Sequence, residues 1–446
     1  MIIVNERTQY AVGQGGFHAA KIGVWGYRDI RYVVDCGATK PYEKRRDECI
    51  DKYVDAEGKR ELVDILFITH AHADHINGVE KLLDLNAGMR VDAIVMPLLS
   101  ILERLLCFAR TAAVDAGAAN NSFYRDFVID PVSAMARFEP GQIILVTRSK
   151  PDDDARPPDG IDQDSGPPEL ELWPEARYRD RPWKPVGVGD VEAYEPDILD
   201  GMRNPSNSTS PTTVIPDSVG FAYRHPQDTI NWLLKPFVCP GVKAGTRAFL
   251  LALAKPKKLS VPKFLEWVSD RRNFKELITK DVKALVTAYE TFGRNLNVTS
   301  LSVYSGPVRQ VNREDRFGRT ESLAYTPNWL AAMHRLGCRV GWLSTGDAAL
   351  KEKKRRKAFL DHYGLLLQEV HTFVLPHHGS EGNFHEELLQ VIKPTLCVAA
   401  ADRMPNWRHP GTAVVQEVAS SGAMLSVVTS AKASQLQEIS TIAIRR

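Results

Sequence analysis

Four metal-competent side chains, His70, His72, Asp74 and His75, fall within six residues of this 446-residue chain, in the run Thr69-His70-Ala71-His72-Ala73-Asp74-His75. Imidazole nitrogen combined with carboxylate oxygen suits zinc, manganese or iron, whereas magnesium and calcium prefer shells of oxygen alone. The apolar segment Leu62 to Ile68 lies directly before the run and reads as a strand. Period-two alternation then turns His70 and His72 to one side and leaves Asp74 and His75 just beyond the strand end. The expected cofactor is one or two divalent ions, zinc or manganese, which would lower the pKa of a water and polarise a bond for hydrolysis.

The run resembles the signature of the metallo-β-lactamase superfamily, and later segments resemble its remaining parts. Gly341-Trp342-Leu343-Ser344-Thr345-Gly346-Asp347 looks like the strand and turn that deliver a bridging aspartate, and Val374-Leu375-Pro376-His377-His378-Gly379-Ser380 looks like the final histidine loop. With Asn406-Trp407-Arg408-His409-Pro410, these pieces are most similar to the metallo-β-lactamase domain of ComEC-type DNA-uptake proteins and their soluble relatives, over residues 10 to 80 and 297 to 430.

The resemblance implies an α/β fold, the αββα sandwich, with a large insertion between its halves. It also implies a two-site metal centre. His70 and His72 would hold the first ion, Asp74 and His75 the second, and Asp347 would bridge them. His377 would complete the second site, with His378 the alternative, since one of two adjacent residues usually faces a given ion. The first site's third histidine is not found in any motif; Asn297 or water would stand in, leaving that site open. Asp35, after the Gly13-Gln14-Gly15-Gly16 turn, would orient a ligating histidine, or is an ordinary turn former. His409 would donate to a phosphoryl oxygen or act as general acid, and a His-Pro pair is also an ordinary structural turn. Ser380 would donate a hydrogen bond to substrate, or cap a helix. Asp74 would both ligate and orient the attacking water.

The elements that must position these groups divide the chain into residues 1-97, 98-295 and 296-446. Short strands are expected over 1 to 4, 17 to 25 and 31 to 35, then a strand over 91 to 96 and others over 339 to 344 and 394 to 400. The middle segment reads as an elaboration partly folded onto the core, with a helix over 99 to 118, a strand over 230 to 238, a helix over 264 to 268 and one long amphipathic helix over 274 to 292. Mobile loops are expected near 148-170, rich in Pro, Asp and Gly, and near 204-216, rich in Ser, Thr and Pro.

With 57 basic and 55 acidic residues, the net charge of +2 excludes a global polycation, so any attraction for nucleic acid must be local. Lys351, Lys353, Lys354, Arg355, Arg356 and Lys357 place six cations within ten residues of Asp347 and read either as a solvated helix or as a polyanion-binding face. Lys255, Lys257, Lys258, Lys263, Arg271 and Arg272 form a second basic group. Six scattered cysteines without a CxxC pair, no leader and no long apolar run point to a cytoplasmic protein without a membrane span. The function expected is a metal-dependent hydrolase, a nuclease cleaving DNA or RNA. The alternatives are a hydrolase of a small ester, lactone, thioester or phosphodiester, and a regulatory binding module with a vestigial metal site. The acidic stretch 151 to 165 would lie over the basic surface as an autoinhibitory strand, removable by a protease or a regulatory protein.

Overall fold

The computed structural model describes residues 2-149, 181-187, 210-224, 230-241, 245-293, 299-308, 316-322, 339-404 and 408-444. Asn297, most of the acidic stretch near 148-170 and residues 204-209 lie outside them.

Alternating apolar side chains make strands, and here those strands assemble into two packed sheets. The first runs β12 (Arg316–Ser322), β17 (Leu436–Ile444), β1 (Ile2–Gln9), β2 (Phe17–Val24), β3 (Ile30–Cys36), β4 (Leu62–Phe67), β5 (Arg90–Pro97), β6 (Gln142–Thr147), β8 (Thr212–Pro216). It is antiparallel from β12 to β3 and parallel from β3 to β8. The second runs β16 (Met424–Val428), β15 (Leu396–Ala400), β14 (Val370–Val374), β13 (Gly341–Ser344), β11 (Ser300–Pro307), β10 (Ile230–Cys239), β9 (Gly220–Arg224), β7 (Trp183–Val186), with β13 to β16 parallel.

On β4, Ile65 and Phe67 enter the core between the sheets while Leu66 faces the outer helices. The inner core meets them with Trp232, Leu301 and Trp342 of the second sheet. Each such side chain contributes ~1.5–3 kcal/mol by leaving water. Helices Glu43–Glu57, Ile101–Val114 and Ser122–Ile129 cover the first sheet, and Lys353–Tyr363, Glu387–Ile392 and Thr412–Ser420 the second. The result is a four-layer αββα sandwich.

The described segments of residues 98 to 295 contribute to both sheets, β6 and β8 to the first and β7, β9 and β10 to the second, and two expectations change. Within the soft stretch near 204-216, Thr212–Pro216 is a strand paired to β6, because Val214 and Ile215 have apolar surface to bury. The single helix expected over 274 to 292 is broken at Asp281, whose backbone leaves the helical region and whose carboxylate holds Lys257 at 3.1 Å. Beyond the helix Val282–Ala288, a wider π-type turn, Tyr289–Gly293, follows. Among the described residues no helix is long and apolar enough to cross a membrane, and the described cysteines are free and buried.

A buried polar group ties the two sheets. Arg7 on β1 donates to Glu438 on β17 at 2.9 Å and reaches across to the Val340 carbonyl at 2.8 Å and Thr372 on β14 at 3.0 Å, while the Thr372 hydroxyl donates to Glu438 at 2.7 Å. His371 lies beside it, 4.0 Å from Glu438. Burial, reinforced by Arg7, brings His371 down to about 4 from an unfolded value near 6.5, despite Glu438. A depressed histidine contributes stability that is present above the unfolded pKa and lost as pH falls through the folded one. Stability should therefore fall by roughly 3 kcal/mol between pH 6.5 and 4 from this residue alone. Urea midpoints across that range should show the slope and its flattening in His371→Gln; an equal slope in the variant would reject the assignment.

Candidate metal centre

Every group of the centre sits at or just past the carboxyl end of a parallel strand, where α/β layers leave polar backbone and loops free for chemistry. Asp35 lies at the end of β3, and His70 to His75 follow β4. Asp347 follows β13, His377 and His378 follow β14, and His409 follows β15. Glycines let the layers close on one another. A Cβ on Gly37 would lie 2.6 Å from the Asp74 carbonyl, and one on Gly16 would lie 2.9 Å from His75 Nδ1.

Asp347 is the hub. Its Oδ2 lies 3.3 Å from His70 Nε2, 3.5 Å from His72 Nδ1 and 3.4 Å from His377 Nε2, and its Oδ1 lies 3.9 Å from His378 Nε2. Burial opposes its ionisation, but the imidazoles of His377 and His70 hold it well below the usual carboxylate range. Asp74 lies 4.0 Å from His75 Nε2 and 3.9 Å from His378 Nε2. It too is held low against burial, by His75 and then His378.

Hydrogen bonds on the far side of each ring fix which nitrogen is free. Asp35, in a left-handed conformation (φ 57°), accepts from Thr69 N at 2.7 Å, Thr69 Oγ1 at 2.6 Å and His75 Nδ1 at 2.8 Å. His378 Nδ1 donates to the Ala400 carbonyl at 2.7 Å. Asn383 spends its amide N–H groups on the carbonyls of Asp347 and Ala348, so its oxygen accepts from His377 Nδ1 at 3.0 Å. The Nε2 lone pairs of His75, His377 and His378 are thereby presented to the centre.

Of the adjacent pair, His378 lies with Asp74 and His75, while His377 lies beside Asp347 and Arg110. Both adjacent residues reach the centre because both adopt left-handed backbone, φ 49° and 58°, which sets the two side chains on one concave face.

Buried polar atoms without hydrogen bonds converge here: His70 Nε2, His75 Nε2 and Asp347 Oδ1. Such atoms are costly unless something binds them. His70, His75 and Asp347 form one set of potential ligands and Asp74, His75 and His378 another. Imidazole and carboxylate donors so placed fit a divalent ion.

The helix Ile101–Val114 brings a group that the sequence reading omitted. Arg110 donates from Nη2 to His377 Nε2 at 2.7 Å, and its Nη1 lies 3.5 Å from His72 Nε2 and 3.6 Å from Asp347 Oδ2. Burial works against its charge, but Asp347 more than restores it. The available signal was the presence of two arginines, Arg104 and Arg110, in a helix otherwise dominated by apolar residues.

A cleft of about 610 Å³ opens over the centre, lined by His72, Asp74, Arg110, Tyr289, His378 and His409 among others. The π-type turn delivers Tyr289 and Glu290 to its wall. His409 stands 5.7 Å from the His377 ring, and burial, then His378, brings it down to about 4.

The Ser380 hydroxyl oxygen accepts from Gly382 N at 3.2 Å within a local turn, which occupies a lone pair and not its O–H donor. The basic run does not line the cleft. Arg356 is 4% exposed and binds Glu387 at 2.6 Å and the Lys351 carbonyl at 2.7 Å, Arg355 donates to the Gly241 carbonyl, Lys351 to the Glu381 carbonyl, and Lys357 pairs with Asp361. Arg355 and Arg356 are tied down against the fold, while Lys351, Lys353, Lys354 and Lys357 are exposed.

Residues 24–87 match the sequence profile of the Metallo-beta-lactamase superfamily. The crystal structure of a beta-lactamase domain protein from Burkholderia ambifaria is similar at 22% identity over 28% of this chain, with a TM-score of 0.16. The chain spans 37% of that structure's length. No curated protein matches the chain. The superfamily match points to a metal-dependent hydrolase, and the two-sheet α/β sandwich that carries it is a metallo-β-lactamase fold.

Proposed function

We propose that this protein is a metal-dependent phosphodiesterase that acts as a nuclease on DNA or RNA. The observation that carries the reading is Arg110, a fixed cation in the cleft wall beside a histidine–aspartate centre, which selects an anionic group at the point of hydrolysis. Asp74, His75, His378, His70 and Asp347 would hold a divalent ion, which would supply Lewis acidity. Asp74, ionised at neutral pH, accepts a hydrogen bond from the attacking water and orients it. Arg110 donates to a non-bridging phosphoryl oxygen, and an N–H of His409, which also lines the cleft, donates to the phosphoryl group.

A second reading, hydrolysis of a small phosphodiester or other small ester, draws support from the cleft, whose volume is that of a small-molecule site, and from a basic run engaged elsewhere. The test is cleavage of supercoiled plasmid, single-stranded DNA, RNA and bis(p-nitrophenyl) phosphate with added manganese, zinc or magnesium, beside an Asp74→Ala/His75→Ala double variant. Nucleic-acid cleavage lost in the variant, with an apparent affinity that drops at least tenfold between 50 and 200 mM salt, is the nuclease result; a salt slope of that size reflects displaced counterions. Turnover of the small ester alone, flat in salt, selects the second reading. Failure on every substrate by metal-loaded protein would remove both.

A further inference from the structure

The donors of this centre divide into two groups. His70 Nε2, His75 Nε2 and Asp347 Oδ1 have no hydrogen-bond partner, and the Asp74, His75 and His378 set opens beside them. His377 Nε2 and His72 Nε2, by contrast, both face the guanidinium of Arg110, at 2.7 and 3.5 Å. The His377 tautomer is settled by Asn383, so its Nε2 is a lone pair that either a guanidinium or a metal ion can take, but not both. His72 turns Nδ1 to Asp347 Oδ2 at 3.5 Å, so an ion shared by His72, His377 and Asp347 would have to displace Arg110 from His377 Nε2 and would stand against a guanidinium whose Nη1 lies 3.6 Å from Asp347 Oδ2.

Arg110 is held in that place by its helix. Ser100 and Glu103 form a capping box at the helix start, and Leu105, Leu106 and Phe108 are buried on its core face. The Tyr124 hydroxyl, paired with Thr111 at 2.8 Å, contacts the carbonyls of Cys107 and Ala71 at 3.2 Å each, so the helix is tied directly to the histidine run between His70 and His72.

We propose that Arg110 takes the place of a first-site ion, so that this centre binds one divalent ion per chain, on the side of His70, Asp74, His75, His378 and Asp347, with His72 and His377 serving as acceptors that hold the guanidinium. The inference rests on the metal-binding part of the functional reading. It turns a two-metal layout into one metal plus one covalently attached cation, whose charge cannot be chelated away and whose N–H groups can bind a substrate oxygen.

The test is metal stoichiometry of the full-length chain after saturation with manganese and desalting, read by mass spectrometry of the metal and by electron paramagnetic resonance. Wild type should hold one ion and give an uncoupled manganese signal. Arg110→Met, and independently Arg110→Gln, should take up a second ion and show the exchange-coupled signal of a pair, while Arg110→Lys, which keeps the charge, should remain at one. Two ions in wild type would overturn the proposal, as would one ion in both neutral variants with folding intact by circular dichroism. No bound ion in any of the proteins would overturn the metal-binding reading itself, and the inference with it.

Discussion

Asp347→Asn is expected to lower kcat/KM on the ester the centre hydrolyses by about 10³-fold, roughly 4 kcal/mol of transition-state stabilisation, and to strip the bound ion. The substitution changes one oxygen to an amide nitrogen in a buried site. Three imidazole nitrogens lie within 3.5 Å of Asp347 Oδ2 and a fourth 3.9 Å from Oδ1, so the carboxylate is the one group all the others face. Asparagine keeps the volume and removes the charge that offsets the ion and Arg110. Metal content by mass spectrometry and kinetics on the same preparation check this together. Retained metal with activity within tenfold of wild type would show that Asp347 is not the shared ligand.

Glu438→Ala should have the largest effect on stability, a loss of about 3 to 5 kcal/mol, because it leaves Arg7 buried and charged between the sheets without its carboxylate. Arg7 has a side-chain exposure of only 1%, so water cannot replace the lost partner without opening the sandwich. The double variant Arg7→Met/Glu438→Leu should recover much of the loss, since a buried pair replaced by apolar side chains is often neutral or better. Urea unfolding of the single and double variants closes the cycle. Additive losses in the double variant would mean that the two residues do not act as a pair.

Much of this architecture was legible because its cause is local. Strands β1 to β5 announce themselves by alternation and by the turns between them, and the histidine run marks its own position at a strand end. The parallel strands β13, β14 and β15 are short apolar runs, each followed by the motif it delivers. What the sequence hid depends on contacts between distant segments. β8 gains its place by burying Val214 and Ile215 beside β6, which a composition rich in Ser, Thr and Pro conceals. The pair His377 and His378 reaches one centre through two consecutive left-handed residues, a conformation that neither side chain advertises. Arg110 sits 35 residues beyond His75, and only the tertiary packing of its helix brings it to the histidines. Within the basic run 351 to 357, the engagement of Arg356 by Glu387 and of Arg355 by the Gly241 carbonyl likewise depends on distant segments.

The pairing of β17 with β1 joins segments more than roughly 400 residues apart. On a ribosome adding about 5 to 20 residues per second, β1 emerges some 20 to 90 seconds before the strand that covers its outer edge. During that interval β1 to β5 can pair, but one flank of the sheet offers a row of bare N–H and C=O groups to any other chain in reach. Asp347 and His378 arrive in the same late portion, so a nascent chain also lacks the ligands that complete its centre. Translation that stalls before residue 436 would therefore leave that edge bare, and a stall before residue 347 would leave the centre without Asp347 and His378 as well, so the exposed edge belongs to the growing chain rather than to the finished protein.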